Sequence, residues 1–210
     1  MLLPRTCPLC GARGPSPCGP CTRQLERAPA LPPPWGVDVC VALLAYEGAG
    51  RDLVARLKYR NARSSVRWLA ASMAALVSMM TFDTVTWIPT TSSRRRERGF
   101  DQAHLLARGV ASQLQLPCRP LLVRAHGPPQ TGRSFAERRV GPVLAARPLR
   151  GALPARVLVV DDVITTGTTV TMAARVLRAI GADRVSVVAA ARTPLKRTRA
   201  RSDTEDNVAR

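Results

Sequence analysis

The sequence predicts an α/β fold, an open parallel sheet with flanking helices, preceded by a small cysteine-bearing unit. Strand-like and helix-like segments alternate along most of the chain, which is typical of parallel strands joined by helical crossovers. The branched apolar run at residues 157–160 indicates a strand that is covered on both faces. Four cysteines in two closely spaced pairs mark the small unit near the amino end.

Each further element follows from its own pattern. Residues 37–46 are a β-rich run, 50–59 predict a short helix, 64–80 a longer helix with one apolar stripe, and 84–88 a strand that Pro89 ends. A basic loop at 90–99 leads into a helix that begins near Asp101, a plausible N-cap. Three more predicted segments complete the domain: a short strand at 121–123, a helix from Thr168 that Gly181 stops, and a last strand near 185–190.

The chain divides into three parts. Residues 1–30 form the four-cysteine unit, and the proline-rich residues 28–35 are a stiff linker that excludes a helix or a central strand. Residues 36–193 form the α/β domain. We expect residues 124–142 to be an exposed, mobile loop and residues 194–210 to be a disordered charged tail, because the tail lacks apolar periodicity.

Composition limits the classes of function. The chain is 46% hydrophobic, which is enough for a sizeable core, and its longest apolar helix candidate, residues 68–80, is too short to span a bilayer. No signal peptide is recognised, so we expect a cytoplasmic protein without membrane insertion. The formal charge of +18 would attract polyanions, although an arginine excess also fits a genome rich in G and C. Scattered aromatic residues, only 4% of the chain, argue against a stacking platform for single strands.

The segment at residues 157–169 is the most informative. Asp161 and Asp162 follow the buried strand where it should leave the sheet, and a turn with the sequence Thr165-Thr166-Gly167-Thr168-Thr169 leads into the next helix. Ligands of open parallel sheets bind beyond the carboxyl ends of the strands. Amides at a helix N-terminus suit a phosphate, whereas carboxylates suit ribose hydroxyls or a hard cation such as magnesium. The segment therefore predicts a site for a phosphorylated ribose. The plainer alternative is that the acids start a turn and Thr168 caps a helix.

The cysteines have metal-ligand spacing. Cys7 and Cys10 form one Cys-x-x-Cys pair, and Cys18 and Cys21 form a second. Four thiolates complete a tetrahedral zinc site, and a structural zinc would stabilise a segment too short to build its own core. Disulfides or free thiols are the alternatives, and a reducing compartment disfavours disulfides. Cys40 and Cys118 are expected to be packing residues.

Two further segments carry candidate anion-binding arginines. The basic loop holds Arg94, Arg95, Arg96 and Arg98, whose guanidinium groups offer forked donors to phosphate oxygens. A solvated charged surface is the plainer interpretation of such a run. The predicted mobile loop holds Arg133 and could fold over a bound ligand to exclude water.

The acid-pair turn resembles the ribose-phosphate-binding motif of the type I phosphoribosyltransferases, which bind phosphoribosyl pyrophosphate (PRPP). The 6-oxopurine enzymes of that group usually carry another aspartate where Thr165 stands, so the resemblance to purine-salvage enzymes is weaker. An ordered set of motifs, running from about Cys7 to Arg192, resembles the ComF family of competence-associated relatives. Its members are the four cysteines, residues 57–59, Arg98-Gly-Phe-Asp-Gln102, Pro129-Gln-Thr-Gly-Arg133 and the acid-pair turn.

The resemblance implies an enzyme that transfers phosphoribosyl from PRPP to an unknown acceptor and releases pyrophosphate. Asp161 and Asp162 would hold the ribose hydroxyls directly or through Mg²⁺ and would act in catalysis, and residues 165–169 would bind the 5′-phosphate. The arginines at 94–98 and Arg133 would bind the pyrophosphate. The alternatives are a non-catalytic PRPP-binding regulator or adaptor in DNA uptake, with a helicase-like competence protein or single-stranded DNA as partner, and a basic DNA-binding module.

Overall fold

The computed structural model describes residues 6–57, 64–124, 144–148 and 154–194. The predictions for residues 125–142, 195–210, Lys58 and Tyr59 lie outside these ranges. In chain order the elements are α1 Gly19–Thr22, β1 Val39–Ala45, α2 Gly48–Arg56, α3 Val66–Leu76, β2 Thr84–Trp87, α4 Ser92–Arg98, α5 Gln102–Leu114, β3 Leu122–Arg124, β4 Leu144–Ala146, β5 Arg156–Ile164, α6 Thr168–Ala179 and β6 Arg184–Arg192.

The main sheet has four strands in the order β1-β6-β5-β2, and every neighbouring pair is parallel. This confirms the predicted open parallel sheet. The central strands β5 and β6 are nearly continuous runs of buried apolar residues, as expected for strands covered on both faces. Because all four strands run the same way, their carboxyl ends meet at one edge of the sheet.

Helices cover both faces of this sheet. On one face α2, α3 and α5 bury Leu53, Leu69 and Leu106 against Leu158 and Val188 of the central strands. On the other face α6 and the β3–β4 ribbon form a second core with Val157, Val159 and Val187, to which they contribute Leu177, Leu122 and Leu144. The two cores hold β5 and β6 rigidly, so that the segment after β5 is presented from a fixed support.

The structure corrects the prediction of a basic loop at residues 90–99. Residues Ser92–Arg98 form the helix α4, and the amide N–H of Arg95 donates to the Thr91 carbonyl at 2.9 Å. Arginine and glutamate are good helix formers, and Gly99, with a φ of 76°, ends the helix. Clustered charge had indicated a loop, but it is compatible with a short exposed helix.

Two other differences concern strands. β5 does not end before the acid pair: Asp161 pairs with Ala189, and pairing with β6 continues to Ile164 and Arg192. The neighbouring strand is long enough to extend the hydrogen bonding past the acids. The short strand predicted at 121–123 is β3, but it pairs antiparallel with β4 outside the main sheet.

The amino-terminal segment contacts the α/β domain at several points. The Ser16 and Ser64 hydroxyls lie 2.7 Å apart, and Arg27 forms an antiparallel bridge to Leu44 of β1. Cys40 is buried within the second core and Cys118 packs against the first, as their predicted packing role requires. Among the described helices, none is long and apolar enough to cross a membrane.

Candidate functional site: an acid pair at the carboxyl edge of the sheet

The acid pair lies in the last part of β5, at the carboxyl edge of the sheet. Asp161 is buried and Asp162 is half-buried. The amide N–H of Asp162 donates to Asp161 Oδ1 at 2.9 Å, and the amide N–H of Val163 donates to Asp162 Oδ1 at 2.8 Å. The backbone thus fixes both carboxyl groups, and each keeps a second oxygen that makes neither of these bonds.

The environment of Asp161 disfavours its ionised form. Burial first, and then the neighbouring Asp162 carboxylate, raise the pKa of Asp161 well above the usual range of aspartate. The positive charge of Arg124 acts in the opposite direction but does not cancel these effects. A buried acid with a raised pKa at the edge of a cavity is a common mark of a functional site.

The turn after β5, residues 165–169, is the segment predicted to be an anion loop. Gly167 adopts a φ of 79° and is the N-cap of α6, a conformation that other residues rarely adopt. The hydroxyls of Thr166 and Thr168 lie 2.9 Å apart, and both residues are exposed. The Thr168 amide N–H lies 3.5 Å from Thr166 Oγ1, so the start of α6 places amide and hydroxyl donors of exposed residues next to one another.

A cavity of about 410 Å³ brings the two halves of this motif together. We call it the acid-pair cavity. Asp161, Asp162, Thr165 and Thr169 line it, whereas Thr166, Gly167 and Thr168 do not. Ten other residues complete the lining: Tyr46, Val54, Ile88, Pro89, Thr90, Asp101, Gln102, Ala103, Arg124 and Val163. Both acids thus border a cavity, as a ligand site requires.

Neither Arg95 nor Arg96 of α4 lines this cavity. Arg95 and Arg96 are exposed, and Arg95 lines a separate cavity of about 520 Å³, which we call the Trp87 chamber. The side chains of Arg94 and Arg98 and the whole of Arg133 lie outside the described part of the chain. Of the predicted arginines with described side chains, Arg95 therefore lies nearest to the site, but it lines the neighbouring Trp87 chamber and not the acid-pair cavity.

Asp101 fixes the position of the α4 segment. One carboxylate oxygen accepts the Thr90 amide N–H at 2.9 Å, and the other accepts the His104 amide N–H at 3.2 Å. The second bond is the predicted N-cap of α5. The bond to Thr90 links Asp101, which follows α4, to the residues that precede α4. Asp101 therefore connects the two ends of the α4 segment.

Arg124 is a site residue that sequence reasoning missed. It lines both cavities, and its Nε donates to the Pro89 carbonyl at 2.6 Å. Its charge also acts on the Asp161 carboxyl group. No local motif distinguishes it from the other arginines of the chain. The one indication in the sequence was that Arg124 directly follows a predicted short strand. In the structure Arg124 ends β3, and this end of β3 lies near the carboxyl edge of the main sheet.

The four amino-terminal cysteines converge. The Sγ atoms of Cys7, Cys10, Cys18 and Cys21 all lie within 4.8 Å of one another, and those of Cys10 and Cys18 are 3.6 Å apart. A tetrahedral Zn–S distance of 2.3 Å requires S···S distances of about 3.8 Å. The amide N–H of Cys18 points at Cys7 Sγ at 3.4 Å. None of the cysteines forms a disulfide. The cluster could therefore hold a tetrahedral metal ion.

The cluster already favours a thiolate. Burial raises the pKa of Cys7, but backbone N–H groups, chiefly that of Cys18, outweigh it and lower the pKa to about 6. Hydrogen bonding with Cys18 and then burial raise the pKa of Cys21 to about 12. A divalent metal would allow all four sulfurs to bind as thiolates.

Comparison with known proteins identifies the class. Residues 101–208, just over half of the chain, match the family model described as "Phosphoribosyl transferase domain". The fold and site thus define a phosphoribosyltransferase-domain protein. Its relatives include the "DNA utilization protein YhgH" of Salmonella typhimurium, 30% identical over 205 residues that cover 89% of this chain and 84% of the relative.

Two further relatives carry competence names. The "Competence protein F" of Haemophilus influenzae is 27% identical over 191 residues, covering 83% of this chain and 78% of the relative. The "Competence protein ComFC" of Bacillus subtilis is 27% identical over 139 residues, covering 65% and 56%. Within the phosphoribosyltransferase-domain class, the chain belongs to the ComF family.

Two solved structures are similar to part of this chain. The "allosteric regulatory enzyme of purine biosynthesis" is 26% identical, with a TM-score of 0.44, and the match covers 65% of this chain and 30% of that one. The Bacillus subtilis glutamine PRPP amidotransferase complexed with ADP and GMP is 27% identical, with the same TM-score and coverage.

Proposed function

We propose that the protein binds PRPP in the acid-pair cavity and transfers its phosphoribosyl group to an acceptor with release of pyrophosphate. The observation that carries this proposal is the shared cavity itself. Asp161 and Asp162 line one part of its wall, and Thr165 and Thr169 of the anion loop line another. PRPP combines a phosphate and a ribose diol, which are the two groups that these parts of the wall suit.

The 5′-phosphate would bind at the turn before α6. Residues 165–169 offer backbone amides, the hydroxyls of four threonines and the positive end of a helix that runs to Ala179. Gly167 allows the backbone to approach the phosphate closely. Carboxylates repel a phosphate, so the acid pair would not compete for this group.

The acid pair would hold the ribose. Hydroxyl groups of the 2′ and 3′ positions can donate hydrogen bonds to the carboxyl oxygens of Asp161 and Asp162. Mg²⁺ fits the same donor set, because hard oxygen ligands from one or two carboxylates together with substrate phosphates are its usual ligands in such sites. Bound Mg²⁺ would supply charge neutralisation for the pyrophosphate.

The reaction would proceed by displacement at C1′. The bond from C1′ to the pyrophosphate oxygen breaks, its electron pair leaves with pyrophosphate, and the acceptor forms a bond to C1′ and loses a proton to solvent. Positive charge builds on the ribose ring as the leaving group departs. Asp161 would act as a carboxylate only when the ligand or its cation offsets the burial that raises its pKa, and the acid pair would then stabilise the charge on the ring.

The leaving pyrophosphate needs cations. Arg124 already lies at the cavity and is held by Pro89, so it is the first candidate for this role. Arg95 and Arg96 would reach the ligand only after α4 moves. Arg94, Arg98 and Arg133 remain candidates by their place in the sequence.

We assign zinc to the four-cysteine cluster. Four sulfur donors with nearly tetrahedral spacing fit Zn²⁺ best among common biological cations. A set of four thiolates leaves no open coordination position, so the ion would stabilise residues 1–30 and take no part in catalysis. This is also the basis for proposing residues 1–30 as a separate unit from the domain at 36–193.

A second candidate function is PRPP binding without turnover. It is favoured by the names of the relatives, which concern DNA utilization and competence. In this case the protein would regulate DNA uptake or handle single-stranded DNA as an adaptor, and a helicase-like competence protein would be its partner. The location would be cytoplasmic under either candidate function.

Release of pyrophosphate separates the two candidates. The purified protein is incubated with PRPP, Mg²⁺ and a panel of purine, pyrimidine and amine acceptors, and pyrophosphate is measured by a coupled assay. Pyrophosphate release that depends on one acceptor and disappears in the Asp161→Asn/Asp162→Asn variant supports phosphoribosyl transfer. Binding of PRPP without acceptor-dependent release supports the regulator, and release that persists in the variant contradicts the proposed site.

A further inference from the structure

The Trp87 chamber adjoins the acid-pair cavity and is large enough for a second small molecule. Its volume is about 520 Å³, within the range of roughly 300–1,000 Å³ that is usual for small-molecule sites. The two cavities share a wall made of Pro89, Thr90, Asp101 and Arg124. A ligand in the chamber would therefore contact the same loop that borders the acid pair.

One part of the chamber is aromatic. The rings of Trp87 and His104 stack with their centroids 4.2 Å apart and an interplanar angle of 25°. Both side chains are half-buried and line the chamber, together with the half-buried Phe100. Leu105 and Leu122 add apolar surface. A flat aromatic ligand can pack against such a surface, because aromatic rings favour offset stacking.

The other part of the chamber is cationic. Arg95, Arg124 and Arg147 line it. Among the described lining residues the only acid is Asp101, whose two oxygens already accept the amides of Thr90 and His104. The chamber therefore carries an excess of positive charge, and guanidinium forks match the geometry of phosphate oxygens.

We propose that the Trp87 chamber is a nucleotide site. The base packs against the Trp87–His104 pair, and the phosphate binds Arg147 and Arg95. A free mononucleotide and a nucleotide within a single strand present this same chemistry, base stacking with phosphate contacts. The site goes beyond the proposed function, because it requires neither PRPP nor phosphoribosyl transfer.

Calorimetric titration of the Asp161→Asn/Asp162→Asn variant with AMP, ribose 5-phosphate and adenosine tests the site, because the intact acid-pair cavity is itself proposed to hold a phosphorylated ribose. AMP is expected to bind at least about tenfold more tightly than either of the other two, since only AMP offers both base and phosphate. His104→Ala should abolish the preference for AMP over ribose 5-phosphate. Arg147→Ala should weaken AMP about tenfold and leave adenosine unchanged. Arg51→Ala, an exposed arginine on α2, is the matched charge control and should change nothing.

Two outcomes would overturn the inference. The first is equal binding of AMP and ribose 5-phosphate to the Asp161→Asn/Asp162→Asn variant. The second is loss of AMP binding in the Asp161→Asn/Asp162→Asn variant, which would place AMP in the acid-pair cavity. Retention of AMP binding in that variant supports the chamber, whether or not PRPP binds the unmodified protein in a separate titration.

A second titration identifies the source of the nucleotide. Tighter binding of a short oligodeoxythymidylate than of thymidine monophosphate would indicate a single strand, and equal binding would indicate a free nucleotide.

Discussion

Replacing Asp161 by asparagine should stabilise the protein while weakening its ligand site. The native state penalises the Asp161 carboxylate through burial and the charge of Asp162, and asparagine removes that charge. The amide oxygen can still accept the Asp162 N–H bond that Asp161 now accepts. A buried polar group that is incompletely compensated usually costs about 1–3 kcal/mol. For a chain of this size, relief of that cost raises Tm by roughly 2–12 °C.

The pH dependence gives the sign of the effect. A native-state pKa above the unfolded value means that the folded protein binds more protons, so stability falls as pH rises from about 4 toward the raised native pKa. The asparagine variant lacks this loss, and its advantage should grow from pH 4 to pH 7. Thermal unfolding at several pH values measures it, with the exposed Asp183→Asn as control. A variant that is less stable than the parent at pH 7 would refute the reasoning about Asp161.

Two further predictions concern the metal site and the packing of helices. Cys10→Ser should lower the zinc content of the purified protein from one ion per chain to well below one, as measured by elemental mass spectrometry. Cys118→Ser is the control and should retain the zinc. Unchanged zinc in Cys10→Ser would exclude the four-cysteine site. Gly109→Leu should destabilise the protein by about 1–3 kcal/mol in denaturant unfolding, because even a Cβ at Gly109 would lie 2.5 Å from Ala70 Cβ. The exposed Arg108→Leu is its control, and equal stability of the two variants would contradict the close packing of α3 and α5.

The parts of the fold that sequence predicted are those with strong local signals. The branched run at 157–160 identified a central strand, and the change to helical spacing after Gly167 identified α6. The carboxyl of Asp101 caps α5 as its position suggested. In each case one short segment contains the physical cause of its own structure.

The features that sequence missed depend on contacts between distant segments. Three-residue strands such as β3 carry no periodic signal, so their antiparallel pairing was not foreseen. The acids belong to β5 because β6 continues beside them. Arg124 joins the site from the end of β3, where its Nε donates to the Pro89 carbonyl. Charge density at 92–98 indicated a loop, whereas the backbone there is helical.

The same distinction applies to the candidate site. The four cysteines and the acid-pair turn are compact motifs, and the structure brings each of them together. The arginine run is also a compact motif, but its orientation depends on how Asp101 ties the α4 segment to α5. Sequence could therefore identify candidate phosphate ligands without showing which of them face the acid pair.

Calorimetric titration of PRPP in the presence of Mg²⁺ tests the central claim most directly. We expect saturable binding to the unmodified protein and a loss of roughly ten- to a hundredfold in affinity for each acid neutralised, since each charged hydrogen bond contributes about 1.5–3 kcal/mol. Absence of heat at millimolar PRPP, or the same affinity in the Asp161→Asn/Asp162→Asn variant, would show that PRPP is not the ligand of the acid-pair cavity.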